Sequence, residues 1–89
     1  MRTVMVRYKT SEAQAAKNAE LVKAVFQELR ARTPGGMRYT CYRLTDGVSF
    51  VHVATMESAE TNPLNTLPAF QAFQAQISER CVEQPVVTE

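Results

Sequence analysis

The sequence is poor in the residue types that build metal centres and disulfide scaffolds. It has no tryptophan, a single histidine, His52, and two cysteines, Cys41 and Cys81, among 89 residues. Because a metal site needs several nitrogen, sulfur or oxygen ligands at close spacing, this set predicts no metal and no cofactor. Two cysteines are too few for a disulfide scaffold, so both are expected to be reduced. Gly35 and Gly36 follow a predicted helix rather than a strand, which leaves a nucleotide cofactor without support.

Neither sign of charge dominates, and no long apolar run is present. Ten Lys and Arg stand against nine Asp and Glu, a formal net charge of +1. Without a basic stripe for phosphates, we expect no nucleic-acid partner. The first ten residues lack the apolar segment of a signal peptide, and nothing later has the length of a membrane span. We therefore expect a cytoplasmic protein with no membrane partner.

The apolar pattern predicts one domain over residues 1–89 that begins with a strand and a helix. Residues 2–10 alternate between two faces, which is the period of a strand. Ser11 is a typical helix cap, and Pro34 marks the end of the helix that follows. The apolar face of this helix recurs in steps of three and four, at Ala15, Ala19, Val22, Phe26 and Leu29.

The second half of the chain predicts two strands, a helix and a last strand. Residues 37–44 and 48–56 favour strands, and residues 45–47 between them have the Asp-Gly signal of a hairpin. A second helix is expected after Leu67, with apolar positions at Phe70, Phe73, Ile77 and Cys81. A short final strand is expected at residues 86–89. The order predicts an α+β, ferredoxin-like βαββαβ fold with a four-stranded antiparallel sheet.

The predicted strands carry more apolar surface than the two helices can cover. Two helices shield one face of a sheet roughly 19 Å wide, and the other face stays bare. Yet apolar residues occupy both faces. Met5 is on the other face from Val4 and Val6, and Val53 is on the other face from Phe50. Burying four or five more such side chains contributes on the order of 10 kcal/mol. The sequence therefore predicts a homodimer through the sheet face, forming a dimeric α+β barrel.

Three segments make the chain resemble the antibiotic biosynthesis monooxygenase-like family of the dimeric α+β barrel superfamily. They are the opening strand TVMVRYKT, which runs at once into a helix, the strand FVHVATMES, and the later LPAFQAF. The resemblance extends over nearly the whole chain. It implies a homodimer and, in ligand-binding members, a cavity between each sheet and its helices. Members include oxygenases that oxidise phenolic polyketides without metal or flavin, haem-degrading enzymes, and proteins without an assigned activity.

His52 is the candidate catalytic residue, in the middle of a predicted central strand. An imidazole whose unperturbed pKa lies near neutral pH can orient or deprotonate a phenol-like substrate. The alternative is a partly buried imidazole that bonds a neighbouring strand or a tyrosine, with no role in chemistry. The sequence leaves both interpretations open.

Candidate substrate-binding residues are three tyrosines and two asparagines. Tyr8, Tyr39 and Tyr42 lie on strands next to arginines, and a hydroxyl with a guanidinium can hold an enolate or a carboxylate. The neighbouring arginines are Arg7, Arg38 and Arg43. Asn62 and Asn65 precede the second helix and can donate hydrogen bonds to a ligand, although an asparagine before proline is also a typical helix cap. More often, a tyrosine on a sheet fills volume and reaches water with its hydroxyl, and strand arginines lie along an edge.

Three hypotheses on function follow. The chain is a cofactor-independent oxygenase for an aromatic or polyketide-like molecule, a module that binds a small apolar ligand without chemistry, or a structural dimer. A cavity of a few hundred Å³ that reaches His52 or a tyrosine favours the first two, and a filled core favours the third.

Overall fold

The computed structural model describes residues 2–32, 37–57 and 67–89. Its elements are β1 Arg2–Thr10, α1 Glu12–Arg32, β2 Met37–Arg43, β3 Ser49–Met56, α2 Pro68–Ala75, α3 Ile77–Arg80 and β4 Cys81–Thr88. None of the helices within these ranges has both the length and the hydropathy needed to cross a membrane.

The four strands form one antiparallel sheet in the order β2-β3-β1-β4. This confirms the ferredoxin-like α+β fold. β1 and β3 are the two central strands and pair along nearly their whole length, from Arg2 opposite Met56 to Lys9 opposite Ser49. In that register Val6 lies opposite His52, so the histidine sits at the centre of the sheet.

The helices cover the sheet face that carries the even-numbered residues of β1 and β3. The buried apolar cluster takes side chains from both layers: Tyr8, Val22, Val25, Phe50, Leu67, Phe70 and Phe73. Glu28 of α1 accepts a 3.2 Å hydrogen bond from the backbone nitrogen of Ala69. That nitrogen lies in the first turn of α2, where helical partners are missing, so the bond ties the two helices together.

The hairpin between β2 and β3 forms where its Asp-Gly signal predicts it. Gly47 has φ +78°, the left-handed conformation that glycine adopts without strain, and its nitrogen donates to the Leu44 carbonyl at 2.9 Å. The Asp46 carboxylate accepts bonds from the backbone nitrogens of Val48 and Ser49 and, at 2.6 Å, from the Ser49 hydroxyl. These three bonds lower the pKa of Asp46 to about 2.

The end of the chain differs from the sequence prediction. The second helix breaks at Gln76, which has φ −135° and ψ 27°, and the short α3 ends at Arg80. Cys81 is the first residue of β4 and pairs with Thr10, so it does not belong to a helix face. β4 is also longer than the predicted residues 86–89, because pairing with β1 begins directly after α3.

Candidate functional site

A cavity of about 330 Å³ lies between the sheet and the helix pair α2–α3. Most of its lining is apolar, and one part of it is formed by His52 with two tyrosines. The lining residues are Arg2, Val4, Val6, Tyr8, Tyr39, His52, Ala54, Met56, Phe70, Phe73, Gln74, Ile77, Pro85 and Val87. The volume suits an aromatic molecule of two or three rings.

His52 holds the polar part of this lining in place through both ring nitrogens. Its Nε2 is 2.7 Å from the Tyr8 hydroxyl, and its Nδ1 makes a short hydrogen bond with the Tyr39 hydroxyl. Cys41 lies at the side, with Sγ 3.5 Å from Nε2. The Phe73 ring packs on the imidazole with a centroid distance of 5.3 Å. Hydrogen bonds at both ring nitrogens and the packing of the Phe73 ring therefore fix the orientation of the imidazole.

The hydrogen bonds continue from Tyr8 away from the cavity to Asn18 and Arg80. Asn18, on α1, is fully buried and donates through Nδ2 to the Tyr8 hydroxyl at 2.8 Å. Arg80 is 4% exposed and donates through Nε to Asn18 Oδ1 at 3.0 Å and through Nη2 to the Phe73 carbonyl at 2.6 Å. We call the five residues Arg80, Asn18, Tyr8, His52 and Tyr39 the polar chain.

Burial keeps three members of the polar chain, His52, Tyr8 and Tyr39, in their neutral forms. It lowers the pKa of His52 to about 4 and raises the pKa of both Tyr8 and Tyr39 far above the usual value of a phenol. Burial also raises the pKa of the Cys41 thiol to about 11. At neutral pH, the cavity therefore presents a neutral imidazole and two neutral phenols. A thiolate nucleophile is not favoured there.

The structure brings three of the sequence-predicted site residues together and places Tyr42 apart from them. Tyr8, Tyr39 and His52 all line the cavity. Tyr42 pairs with Val51, belongs to the opposite face of the sheet and is 56% exposed, so it does not reach this cavity. Asn62 and Asn65 lie outside the described residues.

The arginine of the polar chain is not one of the three predicted beside the tyrosines. Arg7 and Arg38 are exposed, and Arg43 donates to the Gly47 carbonyl at 2.8 Å in the hairpin. The guanidinium in the polar chain is that of Arg80, the last residue of α3, which bonds Asn18 of α1. Strand neighbours in sequence point to opposite faces of a sheet, which is why Arg7 and Tyr8 cannot serve the same site.

Sequence reasoning also missed Asn18, although the sequence carries a signal for it. Asn18 stands three residues after Ala15 and four before Val22, so it lies within the buried stripe of α1. A polar residue at such a position must find hydrogen-bond partners in the core. No comparable signal marks Arg80, whose segment ISER has no pattern typical of burial.

Within the described ranges, no three His, Cys, Asp or Glu side chains lie close enough together to hold a metal ion.

Comparison with known proteins identifies relatives by structure alone. No family model matches the sequence, and no curated protein matches it significantly. A solved antibiotic biosynthesis monooxygenase superposes with a TM-score of 0.80 at 13% identity, over 99% of this chain and 94% of that one. Rv0793 from Mycobacterium tuberculosis gives 0.76 at 23% identity, over 97% and 88%.

A third solved structure comes with a stated activity. It is a variant of SnoaB, a cofactor-independent oxygenase from Streptomyces nogalater, with a TM-score of 0.67 at 19% identity, over 98% of this chain and 89% of that one. These likenesses agree with the resemblance seen in the strand and helix motifs of the sequence. The chain therefore has the fold of the antibiotic biosynthesis monooxygenase-like proteins.

Proposed function

We propose that this chain is a small monooxygenase that needs no metal or flavin and oxidises an aromatic or polyketide-like molecule in the cavity. The observation that carries the proposal is the cavity itself, an apolar space of about 330 Å³ in which His52 and Tyr39 form a polar end. Such a site buries an aromatic ring system and fixes its orientation by one oxygen atom. The solved neighbours, one of them a cofactor-independent oxygenase, support this choice of chemistry.

In this proposal the substrate supplies the electrons, and the protein selects the reactive form of the substrate. His52, with a pKa of about 4, is a weak base at neutral pH and does not need to take the substrate's proton. A substrate acidic enough to ionise in water enters as its enolate or phenolate, and the polar end binds the charged oxygen. The buried rings of Phe70 and Phe73 line the cavity, and their apolar surface favours the exclusion of water from the ring carbon at which oxygen reacts.

The overall reaction of an anthrone illustrates the balance. The ring CH₂ group loses both hydrogens and gains one oxygen atom from O₂, which gives a ketone. The second oxygen atom leaves with the two hydrogens as water. Carbon gives up four electrons and O₂ accepts four, so no external reductant is required.

Oxygen uptake tests the proposed function. Anthrone and a panel of hydroquinones are mixed with the protein in the presence of a chelator, and O₂ consumption is compared with the rate without protein. We expect uptake of one O₂ per anthrone, and one atom of ¹⁸O from labelled O₂ in the anthraquinone. A rate equal to the protein-free rate with every substrate contradicts the proposal and leaves the non-catalytic ligand-binding module as the function.

We also infer that the protein acts as a homodimer through the open face of the sheet. Along this face, Val86 lies next to Arg7, and Val51 lies between Arg7 and Tyr42. The side chains of Val86 and Tyr42 are 63% and 56% exposed, so this row carries apolar surface that a monomer leaves in water. A second copy that packs face to face removes it from water, and sedimentation at micromolar concentration tests the dimer.

A further inference from the structure

We propose that Arg80 is a positioning residue that fixes the tautomer of His52, so that the Tyr39 hydroxyl is a hydrogen-bond donor directed into the cavity. The cavity then selects ligands through an oxygen atom that accepts a hydrogen bond, such as a ketone carbonyl, a phenolate or an enolate. This inference rests on the proposed function only in taking the cavity as the ligand site.

Arg80 sets the direction of the hydrogen bonds in the polar chain, that is, which group donates and which accepts in each bond. A guanidinium has only N–H groups and cannot accept a hydrogen bond, so its Nε contact at 3.0 Å must meet the oxygen of the Asn18 amide. The amide nitrogen then faces the other way and donates to the Tyr8 hydroxyl at 2.8 Å. Asn18 is fully buried, so a turned amide would leave both contacts mismatched without water to replace them.

The next step follows from the hydroxyl of Tyr8. Its oxygen accepts from Asn18, and its own hydrogen meets one acceptor among the described residues, Nε2 of His52 at 2.7 Å. If Nε2 carried a hydrogen instead, the hydroxyl hydrogen of Tyr8 would have no acceptor among the described residues. Cys41 Sγ at 3.5 Å from Nε2 is a weak partner and does not alter this preference.

The direction then passes through the imidazole to Tyr39. A neutral imidazole carries one hydrogen, so with Nε2 as acceptor the hydrogen is on Nδ1. Nδ1 donates to the oxygen of Tyr39. The hydroxyl hydrogen of Tyr39 meets no acceptor among the described residues, and Tyr39 lines the cavity. A ligand oxygen with a free lone pair completes the chain by accepting the Tyr39 hydroxyl hydrogen.

Nitrogen NMR tests the tautomer directly. Because His52 is the only histidine, an ¹⁵N-labelled sample gives one imidazole spin system without ambiguity. At pH 7 we expect hydrogen on Nδ1 and a lone pair on Nε2. A wild-type spectrum with hydrogen on Nε2 overturns the inference, whatever happens with any variant.

Asn18→Asp is the matched variant, because it keeps the size of the side chain and reverses the donor-to-acceptor direction of the hydrogen bonds from residue 18 to Tyr39. A carboxylate accepts from Arg80 with one oxygen and from the Tyr8 hydroxyl with the other. The Tyr8 oxygen then accepts from Nε2–H of His52, and Nδ1 accepts from Tyr39. We expect the tautomer to switch to Nε2–H. Gln27→Glu, on the exposed face of α1, adds the same charge and should leave the tautomer unchanged.

Ligand preference tests the second half of the inference without turnover. Xanthone and xanthene have the same three-ring skeleton, and only xanthone has the carbonyl oxygen. We expect the wild-type protein to bind xanthone about two- to tenfold more tightly, the equivalent of one neutral hydrogen bond, and Asn18→Asp to lose this preference. Equal wild-type affinities, or no binding of either, overturn the selection of an accepting oxygen.

The two proposals fail separately. Protein that does not oxidise anthrone, but has hydrogen on Nδ1 and prefers xanthone, refutes the oxygenase and keeps this inference. Protein that oxidises anthrone with hydrogen on Nε2 does the reverse.

Discussion

The Nε–H of Arg80 donates to Oδ1 of Asn18 at 3.0 Å, a bond that joins α3 to the second turn of α1. The ion pairs among the described residues are Arg2–Glu89 and Lys9–Glu83, so no described carboxylate pairs with the buried guanidinium. Arg80 relies on an amide, the Phe73 carbonyl and the Phe73 ring, whose centroid is 5.4 Å from Cζ. A group that donates and cannot accept thus anchors one end of the polar chain.

The stability of the protein should fall between pH 6.5 and pH 4 because of His52. The folded pKa is about 4, while an unfolded histidine titrates near 6.5, so over this range the unfolded chain binds a proton that the folded chain does not. The free energy of unfolding therefore decreases with falling pH, by on the order of 3 kcal/mol from this group. Urea denaturation at pH 7 and pH 4.5 should show a smaller decrease for His52→Gln than for the wild type. Equal decreases would contradict the buried neutral imidazole.

Tyr39→Phe should slow anthrone oxidation strongly, because it removes the donor at the polar end of the cavity. Loss of one donor to a developing oxyanion typically costs about 100-fold in rate or more. Tyr42→Phe removes the same atom from the opposite, exposed face of the sheet and should leave the rate unchanged. Oxygen uptake measures both variants, and similar rates for the two would argue against the assigned site.

Ala54→Leu should block the cavity while leaving the fold intact. Ala54 lines the cavity from β3, so the added carbons enter space that a ligand would occupy. We expect the affinity for xanthone to fall about tenfold or more, the effect of overfilling a packed site. Ala16→Leu adds the same atoms on the exposed face of α1 and serves as control. Unchanged xanthone binding by Ala54→Leu would place the ligand elsewhere.

Val53→Lys should prevent dimer formation, because it puts a charge in the middle of the open sheet face. Val53 pairs with Met5 on one side and Thr40 on the other. Desolvating an unpaired ammonium in a packed interface is unfavourable by several kcal/mol. Sedimentation at micromolar concentration should show a monomer for Val53→Lys and a dimer for both the wild type and Ala16→Lys. A wild-type monomer would show that the open face has another use.

The sequence predicted the strands near the start of the chain well, because their signals are local. β1 was predicted at Arg2–Thr10 and occupies those residues, because alternation over nine positions is the two-residue period of a strand and does not fit a helix. The Asp-Gly turn fixes the hairpin for a similar reason, because few residues tolerate the φ of Gly47. The end of the chain was predicted less well. The break at Gln76 is followed by α3, whose Arg80 contacts α1 and α2, and these long-range contacts have no local signal.

The sequence by itself determined the order of the strands and helices along the chain and the two alternating faces within each strand, because the alternation of side chains in strands is a property of the backbone. Only the tertiary structure decided that His52, Tyr8 and Tyr39 share one face of the sheet, that Asn18 and Arg80 join this group, which residues lose their water, and which way the hydrogen bonds run. Those features depend on distances between residues far apart in the chain, and hydrogen-bond direction depends on every partner at once.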